Sequence, residues 1–223
     1  MNAHGMNASD KVKSEVFDPS AISYLGSIDD VRGLHPAAMS RATGKVITRL
    51  DRHCRAIIER ATFVVIATHG SNGADVSPRG DPAGFVRVLD ERHVLLPDRV
   101  GNNRFDSMEN IFETGNIGML FMVPGMAEVL RINGRARITD DAALLAASAI
   151  QGRAPKIGVL VEVKEAYLHC AKAINRAGLW DPSRHIDRND LPSYGAMLVD
   201  HCEGLTAEES ERQGAEMVRR GMY

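Results

Sequence analysis

Apolar residues along this chain fall into short runs bounded by turn residues, and that pattern predicts strands more often than helices. Phe63-Val64-Val65-Ile66-Ala67-Thr68 is a β-branched apolar run, and Ser71-Asn72-Gly73 is a hairpin signal leading into Asp75-Val76-Ser77. Gly84-Phe85-Val86-Arg87-Val88-Leu89 and His93-Val94-Leu95-Leu96 form a second pair around Asp90-Glu91-Arg92. Ile117 to Val123 reads as a buried strand, Pro124-Gly125 turns it, Glu128 to Ile138 returns, and Lys156 to Val163 is a last long strand. About six strands at short spacing, with few helices between them, predict a mainly β (α+β) fold: a six-stranded antiparallel barrel with flanking helices.

Helical periodicity is confined to a few segments. Ser27-Ile28-Asp29-Asp30 is a capping-box pattern opening a short helix that stops before Pro36. Val46, Ile47, Leu50, Cys54, Ile57 and Ile58 make one apolar face and predict a helix over about Gly44 to Arg60. These two helices are expected to cover one end of the barrel. Phe105, Met108, Ile111 and Phe112 recur at helical spacing, with Asn103 as the expected N-cap, Asp106 as a capping-box acid and an end near Gly115. Further helices are expected at Asp140 to about Ile150 and about Glu165 to Ala177, and Thr206-Ala207-Glu208-Glu209 caps a charged tail helix to about Arg220. Met1 to Ser14 is polar and aperiodic, so disorder is expected there. The expected organisation is a flexible segment 1–20, a helical extension 21–60, the barrel 61–180, and a C-terminal extension 181–223 with the tail helix.

Length and charge narrow the classes. The 223 residues are enough to bury a full core. With 27 Lys+Arg against 29 Asp+Glu and no long basic run, nucleic acid and anionic membrane are poor partners on electrostatic grounds. Cys54, Cys170 and Cys202 are widely spaced and odd in number, which argues against a disulfide framework or structural zinc and for a reducing compartment. No apolar signal core opens the chain and no stretch approaches a membrane span, so a cytoplasmic protein is expected. There is no Gly-x-Gly-x-x-Gly after a strand to support a dinucleotide site.

Candidate chemistry concentrates between Asp75 and Arg104. Ser77-Pro78-Arg79-Gly80-Asp81 follows one strand, and Pro97-Asp98-Arg99-Val100-Gly101-Asn102-Asn103-Arg104 follows another and leads into a helix. A helix N-terminus flanked by Arg99 and Arg104, with Arg79 as a third cation, brings free N–H groups and guanidinium forks together in the manner of a phosphate site. On the local pattern alone, pairing of these arginines with Asp81, Asp98 and Asp106 on a solvated surface is the commoner outcome.

Taken in order, Ser-Pro-Arg-Gly-Asp, Gly-Phe-Val-Arg-Val-Leu-Asp, Leu-Leu-Pro-Asp-Arg, Gly-Asn-Asn-Arg, Gly-Met-Leu-Phe and Leu-Arg-Ile-Asn-Gly-Arg-Ala resemble the pyridoxamine 5'-phosphate oxidase-like FMN-binding split-barrel proteins, over roughly Arg55 to Trp180. The resemblance implies a split barrel, a homodimer with FMN in clefts between subunits, and FMN-dependent oxidation or reduction of a small molecule. It implies that Ser77, Pro78, Arg79 and Gly80 contact the flavin ring and phosphate and that Pro97 and Asp98 lie beside the ribityl chain. Asn103 and Arg104, with Asn102 beside them, fall where many members have Arg-Lys on the FMN phosphate. The first of those cations is here the neutral Asn103, for which Arg99 is the available substitute. Lys172, in a His-Cys-x-Lys-Ala segment, is implied as a wall of the flavin pocket. Cations for a second, substrate phosphate are not recognisable, so a substrate other than pyridoxamine phosphate is expected. Asp81, His93 and His169 are the candidate general bases, and no motif places any of them. The alternatives are a flavin-binding module without turnover, and a haem- or deazaflavin-binding barrel, with His69, His93 or His169 available as a haem ligand.

Overall fold

Seven antiparallel strands form the sheet, in the order β2-β1-β5-β6-β7-β4-β3. They are β1 (Phe63–Gly70), β2 (Gly73–Gly80), β3 (Arg87–Val88), β4 (His93–Pro97), β5 (Asn116–Met122), β6 (Val129–Thr139) and β7 (Gly158–His169). The sheet curls but is not closed by hydrogen bonds, because β2 and β3 are its two free edges. The expected antiparallel split barrel is therefore present, with seven strands rather than six. Of the expected Gly84–Leu89 strand only the two-residue β3 pairs, opposite Leu95 and Val94.

The computed structural model describes residues 17–220, and the expectation for Met1 to Ser14 lies outside them. The chain separates into two units, Met1–Thr43 and Gly44–Tyr223. In the first, α1 (Ile28–Gly33) carries the expected capping box: Ser27 Oγ accepts the Asp30 N–H and the Asp30 carboxylate accepts the Ser27 N–H. With α2 (Ser40–Gly44) ending at the boundary, every described residue of this unit is exposed.

In the second unit, α3 (Arg52–Ile58) replaces the longer helix expected over Gly44–Arg60. Ile47 bridges antiparallel to Ala166, so the chain leaves the helical path between Lys45 and Leu50, and the helix starts only where the Asp51 carboxylate accepts the His53 and Cys54 N–H groups. Cys54, Ile57 and Ile58 then point into the barrel core. That core is built by Val64, Ile66, Phe121, Ile132 and Val161, each essentially inaccessible, from inward-facing alternate positions along β1, β5, β6 and β7.

Helix α4 (Asp106–Thr114) packs against β1, with Met108 and Ile111 buried and Gly115 ending it at φ 65°. Its start differs from expectation. Asn102 Oδ1 accepts the Arg104 N–H at 3.0 Å and Asn103 takes φ 57°, so the chain turns before the helix and Phe105, not Asn103, is the N-cap. The expected Asp140–Ile150 helix is the short α5 (Ala142–Ala146).

The largest departure is at Glu165. A helix was expected from there to Ala177, but β7 continues to His169 and only α6 (Lys172–Ala177) is helical. Ala166 opposite Ile132 and His169 opposite Val129 complete the ladder with β6, and pairing with a strand remote in sequence overrides local helical spacing. Beyond it, α7 (Tyr194–Val199) packs against α8 (Ala207–Arg220), whose start has the expected Thr206 and Glu209 capping box.

Candidate functional site

The two ends of the sheet meet through side chains. On β2, Ser77 and Arg79 sit opposite the buried Ile66 and Val64 and share their inward face, whereas Pro78 and Gly80 alternate to the other side. β4 ends at Pro97, beyond the reach of the short β3, so at this level β4 is itself an open edge. Arg79 Nη1 donates to Asp98 Oδ1 at 3.2 Å, and Arg99 Nε donates to Asp81 Oδ2 at 2.7 Å. Each edge supplies one cation and one anion, so the two pairs cross the seam in opposite senses. Asp81 N–H to Thr62 O and Asp98 N–H to Ile157 O extend both ladders one step and hold these residues in place.

Arg104 is further out, largely exposed, and its Nε donates to Asp106 Oδ2 at 2.9 Å. That carboxylate, and less strongly Asp75, holds the guanidinium pKa above its ordinary value. The Ser107 hydroxyl at the α4 start donates to Asp75. The sequence-predicted Ser77, Arg79, Asp98 and Arg99 are thus gathered at the seam, and Asn102, Asn103 and Arg104 lie on the connection from it to α4. Lys172 is not brought there within one chain: β7 meets Pro97 at Gly158, and Lys172 lies beyond the other end of that twelve-residue strand.

Electrostatics at the seam are balanced, with the guanidinium groups of Arg79 and Arg99 against the carboxylates of Asp98 and Asp81. Burial pushes the Asp98 carboxyl above its ordinary pKa, and Arg79 only partly offsets it. Arg79 Nε is buried and has no hydrogen-bond acceptor. It is an N–H donor lacking the acceptor that buried donors usually have.

The histidines considered as bases or haem ligands are engaged elsewhere. His69 Nε2 contacts Asn116 Nδ2 at 3.2 Å, His93 Nδ1 contacts Asp90, and His169 lies against the Tyr167 ring with centroids 5.2 Å apart. Burial, then Lys45 and Arg131, lowers the His169 pKa. Among the described residues no cluster of His, Cys, Asp or Glu could hold a metal ion, and no helix is long and apolar enough to cross a membrane.

The sequence reading missed a second polar surface. On the outer face of the sheet, Arg131, Asn133 and Arg135 of β6 line a cleft of about 450 Å³ with His69, Asn116, Lys164 and Glu165. The period-two polar residues in Leu-Arg-Ile-Asn-Gly-Arg-Ala were the available signal.

A family model described as pyridoxamine 5'-phosphate oxidase matches residues 50–170. None of the curated proteins matches the chain. Among solved structures, HupZ of Group A Streptococcus is 19% identical, with 53% of this chain and 93% of that chain covered and a TM-score of 0.44. A protein from Clostridium acetobutylicum related to general stress protein 26, of the pyridoxinephosphate oxidase family, is 16% identical over 52% of this chain and 85% of that one, at a TM-score of 0.40. An FMN-binding protein from Syntrophomonas wolfei is 9% identical over 52% and 88% of the two chains, at a TM-score of 0.40.

Proposed function

Because the chain belongs to the pyridoxamine 5'-phosphate oxidase family, whose model spans residues 50–170, we propose that it is a cytoplasmic FMN-dependent oxidoreductase acting on a small molecule, with FMN held at the barrel seam of a homodimer. The observation that carries the reading is Arg79, a guanidinium fixed across the seam with a buried Nε–H that lacks an acceptor.

The residues present suit the polar parts of FMN in donor type. Arg79 offers the spare N–H, Ser77 on the same face offers a hydroxyl, and Pro97 and Asp98 flank them on the other edge. Arg99 and Arg104 are the cations for the phosphate, and Asn102 and Asn103 shape the turn that carries Arg104. Because every guanidinium here already faces a carboxylate, phosphate binding would exchange one anionic partner for another rather than fill an unpaired site. Asp98 is the carboxylate most readily given up, since burial already favours its neutral form. When bound, FMN supplies hydride or electron transfer at the isoalloxazine N5 edge. A guanidinium held rigidly at that seam stabilises negative charge without reorganising. Lys172, at the far end of β7, would reach such a flavin only from a second copy of the chain.

The test is the absorption spectrum of the purified protein, identification of what heat releases, and titration of FMN into the apoprotein by fluorescence. A yellow protein yielding FMN, with affinity falling more than about tenfold in a folded Arg79→Gln variant, is the expected result. A colourless protein that takes up no FMN overturns the reading. A strong band near the blue edge of the visible spectrum would identify haem instead, a released fluorescent compound distinct from FMN a deazaflavin, and bound FMN that NADH or NADPH never reduces a module without turnover. Light scattering at twice the chain mass checks the homodimer.

A further inference from the structure

The outer-face cleft runs across four strands whose register is set by backbone pairing. Ala67 of β1, Gly118 of β5, Asn133 of β6 and Glu165 of β7 form one continuous cross-strand row. The first two have almost no side chain, so the row is a floor at one end and a polar wall at the other. The neighbouring rows rise on either side. On one side, Asn116 and Arg135 are paired across β5 and β6, with Arg135 Nη1 donating to Asn116 Oδ1 at 2.6 Å. On the other, Arg131 lies between Leu120 and Tyr167, its guanidinium 5.5 Å from the centre of the Tyr167 ring and its Nε donating to Asn133 Oδ1 at 3.1 Å.

A β-bulge completes the wall. Between Asn133 and Gly134 the register with β7 shifts, so that Asn133 pairs with Glu165 and Gly134 with Val163, leaving Lys164 as the extra residue. Val163 and Ala166 remain buried, and Lys164 and Glu165 are both exposed beside the cleft. The bulge depends on Gly134, where a Cβ would run into the Glu162 carbonyl oxygen and stand 2.8 Å from Val161 Cγ1.

Charge identifies the occupant. The lining carries Arg131, Arg135 and Lys164 against the single carboxylate Glu165. Among the described residues the hydrogen-bond acceptors of Arg131 and Arg135 are the neutral amides Asn133 and Asn116, and neither arginine forms an ion pair, whereas Lys164 pairs with Glu162. Two guanidinium groups without a carboxylate, flanking a floor of Ala67 and Gly118, suit a flat apolar body with an anionic edge. We propose that this cleft is a binding site for a small aromatic carboxylate, separate from the seam and independent of the flavin reading. Arg131 and Arg135 bind the carboxylate, the ring lies over Ala67 and Gly118, and Asn116 and Asn133 hold the two guanidinium groups in position.

The experiment is an amide NMR titration of the full-length protein, with and without added FMN, using benzoate as the probe and benzamide as its neutral isostere. Benzoate is expected to shift the Gly118 and Gly134 amides saturably, and benzamide to bind at least about tenfold more weakly. In Arg131→Gln/Arg135→Gln the benzoate affinity should fall by about tenfold or more. Should that variant fail to fold, Gly118→Val serves: its Cβ would meet only Asn133 Oδ1 at 3.6 Å and Ala67 Cβ at 3.9 Å, so the added methyls rise into the cleft and should abolish binding. Absence of saturable shifts at Gly118 and Gly134, equal binding of benzamide, or unchanged benzoate affinity in either folded variant overturns the proposal. None of these readouts depends on FMN, so failure here and failure of the flavin reading are separable.

Discussion

Arg79 and Asp98 lie 3.2 Å apart although their strands stand near opposite ends of the strand order. With Arg99 and Asp81 at 2.7 Å, they fasten the split in the barrel by side chains where the backbone ladder leaves it open. Whatever binds at the seam therefore binds at a structural joint, and the two roles of these arginines can be separated by measurement.

The Asp81 carboxylate is almost wholly buried, whereas Arg104 and Asp106 are largely exposed. Removing the partner of a buried charge is far more costly than removing a solvated one. Arg99→Ala should destabilise the fold by about 3 kcal/mol and Arg104→Ala should leave the unfolding midpoint essentially unchanged, compared by urea unfolding. Similar losses would mean that the seam pair does not fasten the barrel.

Asp51 caps α3, and the Cys54 N–H in particular holds its carboxyl below the ordinary value of 3.8. A depressed folded pKa contributes stability that is fully present above the unfolded value and is lost as pH falls through the folded one. Asp51→Ala should cost about 1 kcal/mol at pH 7, and the gap to the unsubstituted protein should close as pH falls below that ordinary value. Urea midpoints measured at a series of pH values give the curve directly.

Cys54 and Cys170 should differ sharply in reactivity. Burial, reinforced by Asp51, pushes the Cys54 thiol up to about 11. Cys170 is exposed, and the Lys172 backbone N–H together with its ammonium charge lowers the thiol pKa. Iodoacetamide at neutral pH should label Cys170 first and leave Cys54 until the protein unfolds, as read by mass spectrometry of peptides over time.

Two glycines on neighbouring strands, Gly134 of β6 and Gly118 of β5, predict opposite outcomes. Gly134→Ala places a methyl against the Glu162 backbone and should cost at least about 2 kcal/mol. Gly118→Ala meets only ordinary contacts and should be neutral or stabilising by about 0.5 kcal/mol. Thermal unfolding of the two variants distinguishes a bulge that requires glycine from a sheet that merely contains one.

Much of this architecture was legible in the chain because the information is local. The β1–β2 hairpin follows from an apolar run and a Gly turn, the α4 C-terminus from Gly115, and the α1 and α8 starts from their capping boxes. The readings that failed were those in which distant pairing outweighed local spacing. The bridge between Ile47 and Ala166, more than a hundred residues apart, goes with the shortening of one expected helix, and the ladder from Val129–Asn133 to Glu165–His169 turned the start of another into strand.

The residue types and spacing around Arg79, Arg99 and Arg104 were sufficient to mark a charged centre, and the alternatives of anion site and paired surface were both written in the same residues. Which arginine faces which aspartate was decided only by the tertiary structure, because that depends on two sheet edges meeting after the chain has curled between them. The same holds for the outer-face cleft. Its polar residues alternate visibly along β6, but their surplus charge appears only once register aligns them with Ala67, Gly118 and the bulge at Lys164. Side-chain periodicity is a property of one strand, whereas a site is a property of several strands in register.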